Sequence, residues 1–177
     1  DAADFNNDGH ADFVIAPSTC GQSTDEPFFV NLGDGQGNFR TLTFEGLKDA
    51  NRNYVPYYGV AAADFNRDGN VDIAAAYYDN LDIYQGNGDG TFEWSARYEY
   101  ELNLSPLDNY DFNGDGNQDL VAANFGSAGA EVAILLGNGD GSFADPVIYG
   151  GGTSGVRNAV SAPPPPPESN KEPVAVV

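Results

Sequence analysis

Asp64-Phe65-Asn66-Arg67-Asp68-Gly69-Asn70-Val71-Asp72 decides how this chain is read, because the same nine-residue phrase occurs twice more. It stands as Asp4-Phe5-Asn6-Asn7-Asp8-Gly9-His10-Ala11-Asp12 and as Asp111-Phe112-Asn113-Gly114-Asp115-Gly116-Asn117-Gln118-Asp119. Side-chain oxygens fall at positions 1, 3, 5 and 9, with glycine at 6. A hard cation such as calcium takes six to eight oxygens at about 2.3–2.6 Å, and a tightly turning chain supplies them from alternate residues. Glycine permits the positive φ of that turn. Position 7 (His10, Asn70, Asn117) would add its backbone carbonyl. Asp, Asn and Gly also form ordinary turns, but three copies in register favour calcium loops, about three ions per chain.

These loops are not EF-hands, whose position 12 is a bidentate Glu between helices. Position 12 here is Ile15, Ala75 or Ala122. Behind each loop comes a short apolar run: Phe13-Val14-Ile15, Ile73-Ala74-Ala75-Ala76-Tyr77-Tyr78 and Leu120-Val121-Ala122-Ala123. Such runs, hemmed by Gly and Asn, predict buried strands. A second phrase recurs behind the first: Leu32-Gly33-Asp34-Gly35-Gln36-Gly37-Asn38-Phe39, Gln85-Gly86-Asn87-Gly88-Asp89-Gly90-Thr91-Phe92 and Leu136-Gly137-Asn138-Gly139-Asp140-Gly141-Ser142-Phe143. Strand-like runs flank each copy, so these glycines predict hairpins, whose turns need φ > 0. A phosphate-cradling loop would need a helix N-terminus behind it and usually a Lys, and neither is present.

Asp4 to Asp64 spans 60 residues and Asp64 to Asp111 spans 47. Periods near this length with about four strands per unit mark propeller blades. The expectation is an all-β chain of three four-stranded blades over residues 1–162, each running metal loop, strand, strand, glycine hairpin, strand, lead-in strand. Tyr58-Gly59-Val60-Ala61-Ala62-Ala63 is the lead-in before Asp64, and the one before Asp111 is interrupted by Pro106.

The two phrases, recurring together in order, resemble FG-GAP/VCBS repeats, the blades of integrin-α-type propellers and of many bacterial and fungal surface proteins. Ile15-Ala16-Pro17 is similar to the Gly-Ala-Pro end of that family's strand. The resemblance implies a seven-bladed ring with calcium in the blade loops. It places ligands on Asp4, Asn6, Asp8, His10 and Asp12, on Asp64, Asn66, Asp68, Asn70 and Asp72, and on Asp111, Asn113, Asp115, Asn117 and Asp119. Only three blades are present, whereas propellers generally close with four to eight, so the expectation is a partial or oligomer-completed propeller.

Ala2-Ala3-Asp4 aligns with Ala62-Ala63-Asp64, so the first unit is expected to lack its lead-in strand. Gly155 to Ala162 resembles a spare lead-in, free to pair with another copy, since open edges invite pairing. Pro163 to Pro167 open a stiff linker, residues 163–170. Residues 171–177 read as the start of a further β-domain, similar to the opening of PKD-type immunoglobulin-like domains, or as a donated strand.

With 27 acidic against 7 basic residues the net charge is −20. Nucleic-acid recognition rests on Lys and Arg meeting phosphate, so DNA and RNA are not expected as partners, and anionic membranes are disfavoured for the same reason. No stretch reaches the ~20 apolar residues that span a bilayer. The only cysteine, Cys20, has no internal disulfide partner and is expected to be buried, with an intermolecular bridge as the alternative. Catalysis is not expected: the sole histidine, His10, occupies a metal loop with its ring toward solvent, and no carboxylate pair stands out beyond the loops. Trp94, Tyr98 and Tyr100 lie at even spacing and would share one strand face, as core or as a sugar-stacking platform. Asn103-Leu104-Ser105 is a formal glycosylation sequon beside Pro106. The reading is a calcium-stabilised, non-catalytic module of an extracellular or cell-surface protein, working in adhesion or assembly. It would act as a homo-oligomer or filament, or with further blades of a longer chain, and have a glycan or protein ligand. The alternatives are a lectin, since proteins resembling this family bind sugars between blades, and the non-catalytic flank of a secreted enzyme.

Overall fold

The computed structural model describes residues 1–16, 28–43, 57–100, 102, 104–124, 131–150 and 156–158, and the regular structure among them is all β. The first sheet holds β1 (Ala2–Ala3), β2 (Asp12–Ile15), β3 (Phe29–Gly33) and β4 (Phe39–Thr43). The second holds β5 (Gly59–Ala63), β6 (Asp72–Tyr77), β7 (Asn80–Gly86) and β8 (Phe92–Glu99). The third holds β9 (Leu104–Tyr110), β10 (Asp119–Asn124), β11 (Glu131–Leu135), β12 (Val147–Gly150) and β13 (Val156–Asn158). Each is an antiparallel meander whose spatial order follows the chain. The lead-in strands β1, β5 and β9 lie toward one another, β5 packing on both of its counterparts. Three propeller-type blades thus stand side by side in an open arc, as the repeat period predicts.

The middle sheet explains the alanines of the second apolar run. Ile73 and Ala75 enter the core shared with the first sheet, whereas Ala74 and Ala76 enter the core shared with the third. Successive strand residues point to opposite faces, so a strand between two neighbours is apolar throughout, and small side chains let both sheets approach. Buried Val14, Val30, Leu32 and Leu42 meet the middle blade from one side, and Leu104, Leu120, Ala133 and Leu135 meet it from the other.

The ends of the blade array differ from the sequence expectation. The first blade has its lead-in: Ala2 pairs with Phe13 and Ala3 with Asp12. The spare strand does not stay free either. β13 pairs with β12 of its own sheet (Val147↔Asn158, Ile148↔Arg157, Tyr149↔Val156), making the third blade five-stranded. The edge of β12 is a few residues away in the chain, and closing a short loop costs little entropy. Pro106 does not interrupt its strand, because β9 runs through it with an irregular register opposite Ala122 and Asn124. Cys20, Asn103, residues 163–170 and residues 171–177 lie outside the described residues.

Candidate functional site

In all three loops the side chains at positions 1, 3 and 5 fold over the turn and accept its backbone N–H groups. In the middle loop Asp64 accepts from Asp68 (Oδ1, 3.1 Å) and Gly69 (Oδ2, 2.9 Å), Asn66 from Asp68 (2.9 Å), and Asp68 from Asn70 (2.7 Å). The same bonds join Asp4, Asn6, Asp8 and His10 in the first loop. They recur for Asp111, Asn113, Asp115 and Asn117 in the third. Gly69 at φ 91° makes the turn, which a Cβ would resist. The position-3 amide also donates to the position-5 carboxylate, at 2.9 Å in each loop. Asp8 and Asp115 are held below the usual carboxylate range, first by the N–H of His10 or Asn117 and then by the side chain of Asn6 or Asn113. These exposed carboxylates are therefore ionised at neutral pH. The donor set is all oxygen, which suits a hard cation.

Position 9 behaves differently. Asp12, Asp72 and Asp119 are buried, with both carboxylate oxygens turned inward. Asp72 accepts from Phe65 N (3.0 Å) and from Gly86 N on β7 (2.9 Å). Asp12 takes Phe5 and Gly33 in the same way, and Asp119 takes Phe112 and Gly137. This aspartate staples its loop to the strand before the glycine hairpin. The strand comes so close that a Cβ on Gly86 would overlap the Val71 carbonyl, so only glycine fits. Among the described residues no three His, Cys, Asp or Glu side chains converge, because the third acid of each loop faces its staple. A carboxylate offers about four lone-pair sites, of which the two N–H groups take two. Asp72 is pushed up to about 6, chiefly by burial, against the lowering effect of its N–H partners, with Asp68 and Asp64 adding repulsion.

The loops also join the blades. Phe5 of the first loop packs edge-on against Phe92 of the second hairpin (5.7 Å), and Phe65 packs the same way on Phe143 (5.3 Å). Beside each pair a hairpin glycine donates to the loop phenylalanine's carbonyl: Gly90 N to Phe5 O and Gly141 N to Phe65 O, both 3.0 Å. Position 4 reaches across as well, with Asn7 Nδ2 donating to Asn70 Oδ1 (3.1 Å) and Arg67 Nη1 to Asn117 Oδ1 (3.4 Å). Position 7 therefore has a use for its side chain as well as its carbonyl. The His10 ring is exposed, as expected, and also lies over Gly35. The sequence signal for this joint was the phenylalanine repeated at position 2 and after each hairpin, which reads as core but does not reveal that the core lies between blades.

The aromatic platform does not form. A bulge in β8, where Ile83 faces Ala96 but Tyr84 faces Trp94, inserts one residue and reverses the facing of the strand beyond it. Trp94 packs toward the first blade, while Tyr98 and Tyr100 are buried toward the third. One polar cluster escaped the sequence reading. Buried Asp82 on β7 accepts Arg97 Nε and Nη2 (both 2.8 Å) and Tyr57 Oη (2.7 Å), and Tyr57 also bonds the hydroxyl of Tyr84 (2.8 Å). Its signal was an aspartate inside the apolar run Leu81-Asp82-Ile83-Tyr84. A polar groove of about 670 Å³ runs between the second and third loops, lined by Asp64, Arg67, Asp68, Asn109 and Gln118 among others.

Three blades built on one acidic loop, one staple and one glycine hairpin define a β-propeller repeat protein. The FG-GAP-like repeat model matches residues 4–75, 64–108 and 111–162, and the chain belongs to that family. Among curated proteins and solved structures no match is found.

Proposed function

We propose that this chain is a calcium-stabilised, non-catalytic module of an extracellular or cell-surface protein, working in adhesion or assembly. One observation carries the reading: three loops present the same oxygen donors at positions 1, 3 and 5, half-buried to exposed, on turns closed by the same hydrogen bonds. Asp64, Asn66 and Asp68 would hold the ion in the middle loop, with the Asn70 carbonyl completing the turn and Asp72 contributing from its staple. The corresponding residues of the first and third loops would do the same. Calcium would supply charge neutralisation, offsetting repulsion among nine loop aspartates in a chain of net charge −20, and would tie each turn to the blade behind it. Extracellular calcium modules work at roughly 10⁻⁴–10⁻³ M, which suits so acidic a surface outside the cell. Equilibrium dialysis against calcium should return about three ions per chain. Fewer than one ion per chain at millimolar calcium would refute the reading.

A second reading, carbohydrate binding, is favoured by the polar groove between the second and third loops, where Asp64, Arg67, Asn109 and Gln118 could hydrogen-bond sugar hydroxyls. A glycan array separates the two. Specific retention that is lost in Arg67→Ala and Gln118→Ala would select the lectin.

A further inference from the structure

The two joints inside the chain follow one backbone plan, yet three side chains set the second apart from the first. In the lead-in strands Ala62 pairs with Ile73 as Asn109 pairs with Leu120. At position 8 of the loop, Val71 stands where the third loop has Gln118. Ala62 and Val71 pack into the core of the first joint. At the second joint Asn109 Nδ2 donates instead to Gln118 Oε1 (3.1 Å). Two half-buried amides thus occupy places where an alanine and a valine complete the same fold. Each has a group to spare: Asn109 Oδ1 and Gln118 Nε2 have no hydrogen-bond partner among the described residues.

Position 4 of the loop is the third difference. All three loops hold it at positive φ: 56° at Asn7, 61° at Arg67 and 77° at Gly114. Asn and Gly take that conformation readily, whereas a long side chain rarely does. Arg67 is therefore kept against a backbone preference that the other two loops respect, and such outliers gather at functional sites. Its stem lies across the joint, where a Cβ on Gly139 of the third hairpin would meet the Arg67 Cδ at 3.2 Å. The guanidinium makes one long bond, to Asn117 Oδ1 (3.4 Å), and no ion pair among the described residues. Asp115 of the third loop feels its charge without bonding to it. A guanidinium carries five N–H donors, so four are left for a ligand. Arg67, Asn109 and Gln118 all line the same groove of about 670 Å³, a volume in the range of small-molecule sites.

We propose that this groove takes a carboxylate-bearing sugar and that Arg67 is the residue that selects the acid. The proposal rests on the carbohydrate reading given above and names the class of sugar. A guanidinium fork matches a carboxylate through two parallel N–H···O bonds. Beside it, Asn109 Oδ1 would accept from one hydroxyl and Gln118 Nε2 would donate to another. None of the described residues lining the groove is aromatic, so polar contacts rather than ring stacking carry the recognition. Asp64 and Asp68 share the groove, but their oxygens are turned onto N–H groups of their own loop. Calcium in that loop would cancel their charge, which makes retention of an acidic sugar strongest with the ion present.

The test is retention, in millimolar calcium, on an array of glucuronides, galacturonides and sialosides, each beside its methyl ester, together with neutral glycans. Wild type should retain at least one acid about tenfold or more better than its ester, the discrimination expected of charged hydrogen bonds. Three variants restore the residues of the first joint and so keep the fold: Arg67→Asn, Asn109→Ala and Gln118→Val, each checked by far-UV circular dichroism and melting temperature. Arg67→Asn should bring retention of the acid down to that of its ester, as should Arg67→Gly, which copies the third loop. Asn109→Ala and Gln118→Val should weaken acid and ester alike. Equal retention of acid and ester by wild type, or a preference that survives both Arg67 variants, would overturn the proposal and leave the carbohydrate reading standing. No retention of any glycan refutes that reading and the proposal with it.

Discussion

Replacing Asp72 by alanine separates stapling from metal binding, because the two roles respond differently to calcium. The side chain is wholly buried and its two oxygens hold Phe65 N and Gly86 N. Alanine leaves both N–H groups buried and unpaired, at about 1–3 kcal/mol each. Part of that loss is offset, since burial already pushes this carboxylate up to about 6 and so disfavours its charge at neutral pH. The expected net loss is about 3 kcal/mol, or roughly 6–12 °C in Tm for a domain of this size. It should appear in full in chelator, measured by urea or thermal unfolding. Asp79→Ala is the control: this exposed carboxylate lies outside the three acidic loops, in the turn between β6 and β7, and surface substitutions of that kind stay within about 0.5 kcal/mol. Should Asp72→Ala in chelator melt where Asp79→Ala does, the staple contributes nothing and the account of position 9 is wrong.

The same geometry sets three other outcomes. Calcium at a hundredfold excess over Kd should stabilise the native state by about 2.7 kcal/mol for one site, raising Tm by roughly 5–10 °C; an unchanged melting curve after exhaustive chelation would refute loop binding. Asp68→Ala removes the position-5 oxygens while keeping the Gly69 turn, so dialysis should count one calcium fewer per chain and the calcium-dependent part of the Tm shift should shrink. Unchanged stoichiometry would return this aspartate to an ordinary turn former. Gly86→Ala drives a Cβ into the Val71 carbonyl and should destabilise by about 1–3 kcal/mol, as overpacking does, measured by the urea midpoint at constant m; a wild-type midpoint would show that the strand can draw back.

Much of this architecture was legible in the residues because its local rules repeat. Asp, Asn and Gly at fixed offsets specify a turn whatever surrounds it, and short apolar runs between such turns specify strands. The alanines of β6 were ambiguous by themselves, since nothing in Ile73-Ala74-Ala75-Ala76 says that both faces are covered; the neighbouring sheets decide that. The facing of Trp94 against Tyr98 turned on one bulged residue, and a bulge depends on the partner strand, which spacing along one strand does not record.

The sequence by itself determined the loops, the hairpins, the number of blades and the loop oxygen donors, because those depend on contacts between residues a few positions apart. Tertiary structure alone decided that position 9 faces inward as a staple, that β13 joins its own sheet, and that the repeated phenylalanines meet between blades. Each of these brings together groups from separate strands or blades, and that proximity is set by packing rather than by spacing in the chain. The same distinction explains why Phe5, Phe65 and Phe112 look alike in the sequence while only Phe112 is left exposed: its burial needs a neighbouring blade, which only the assembled arc can supply or lack.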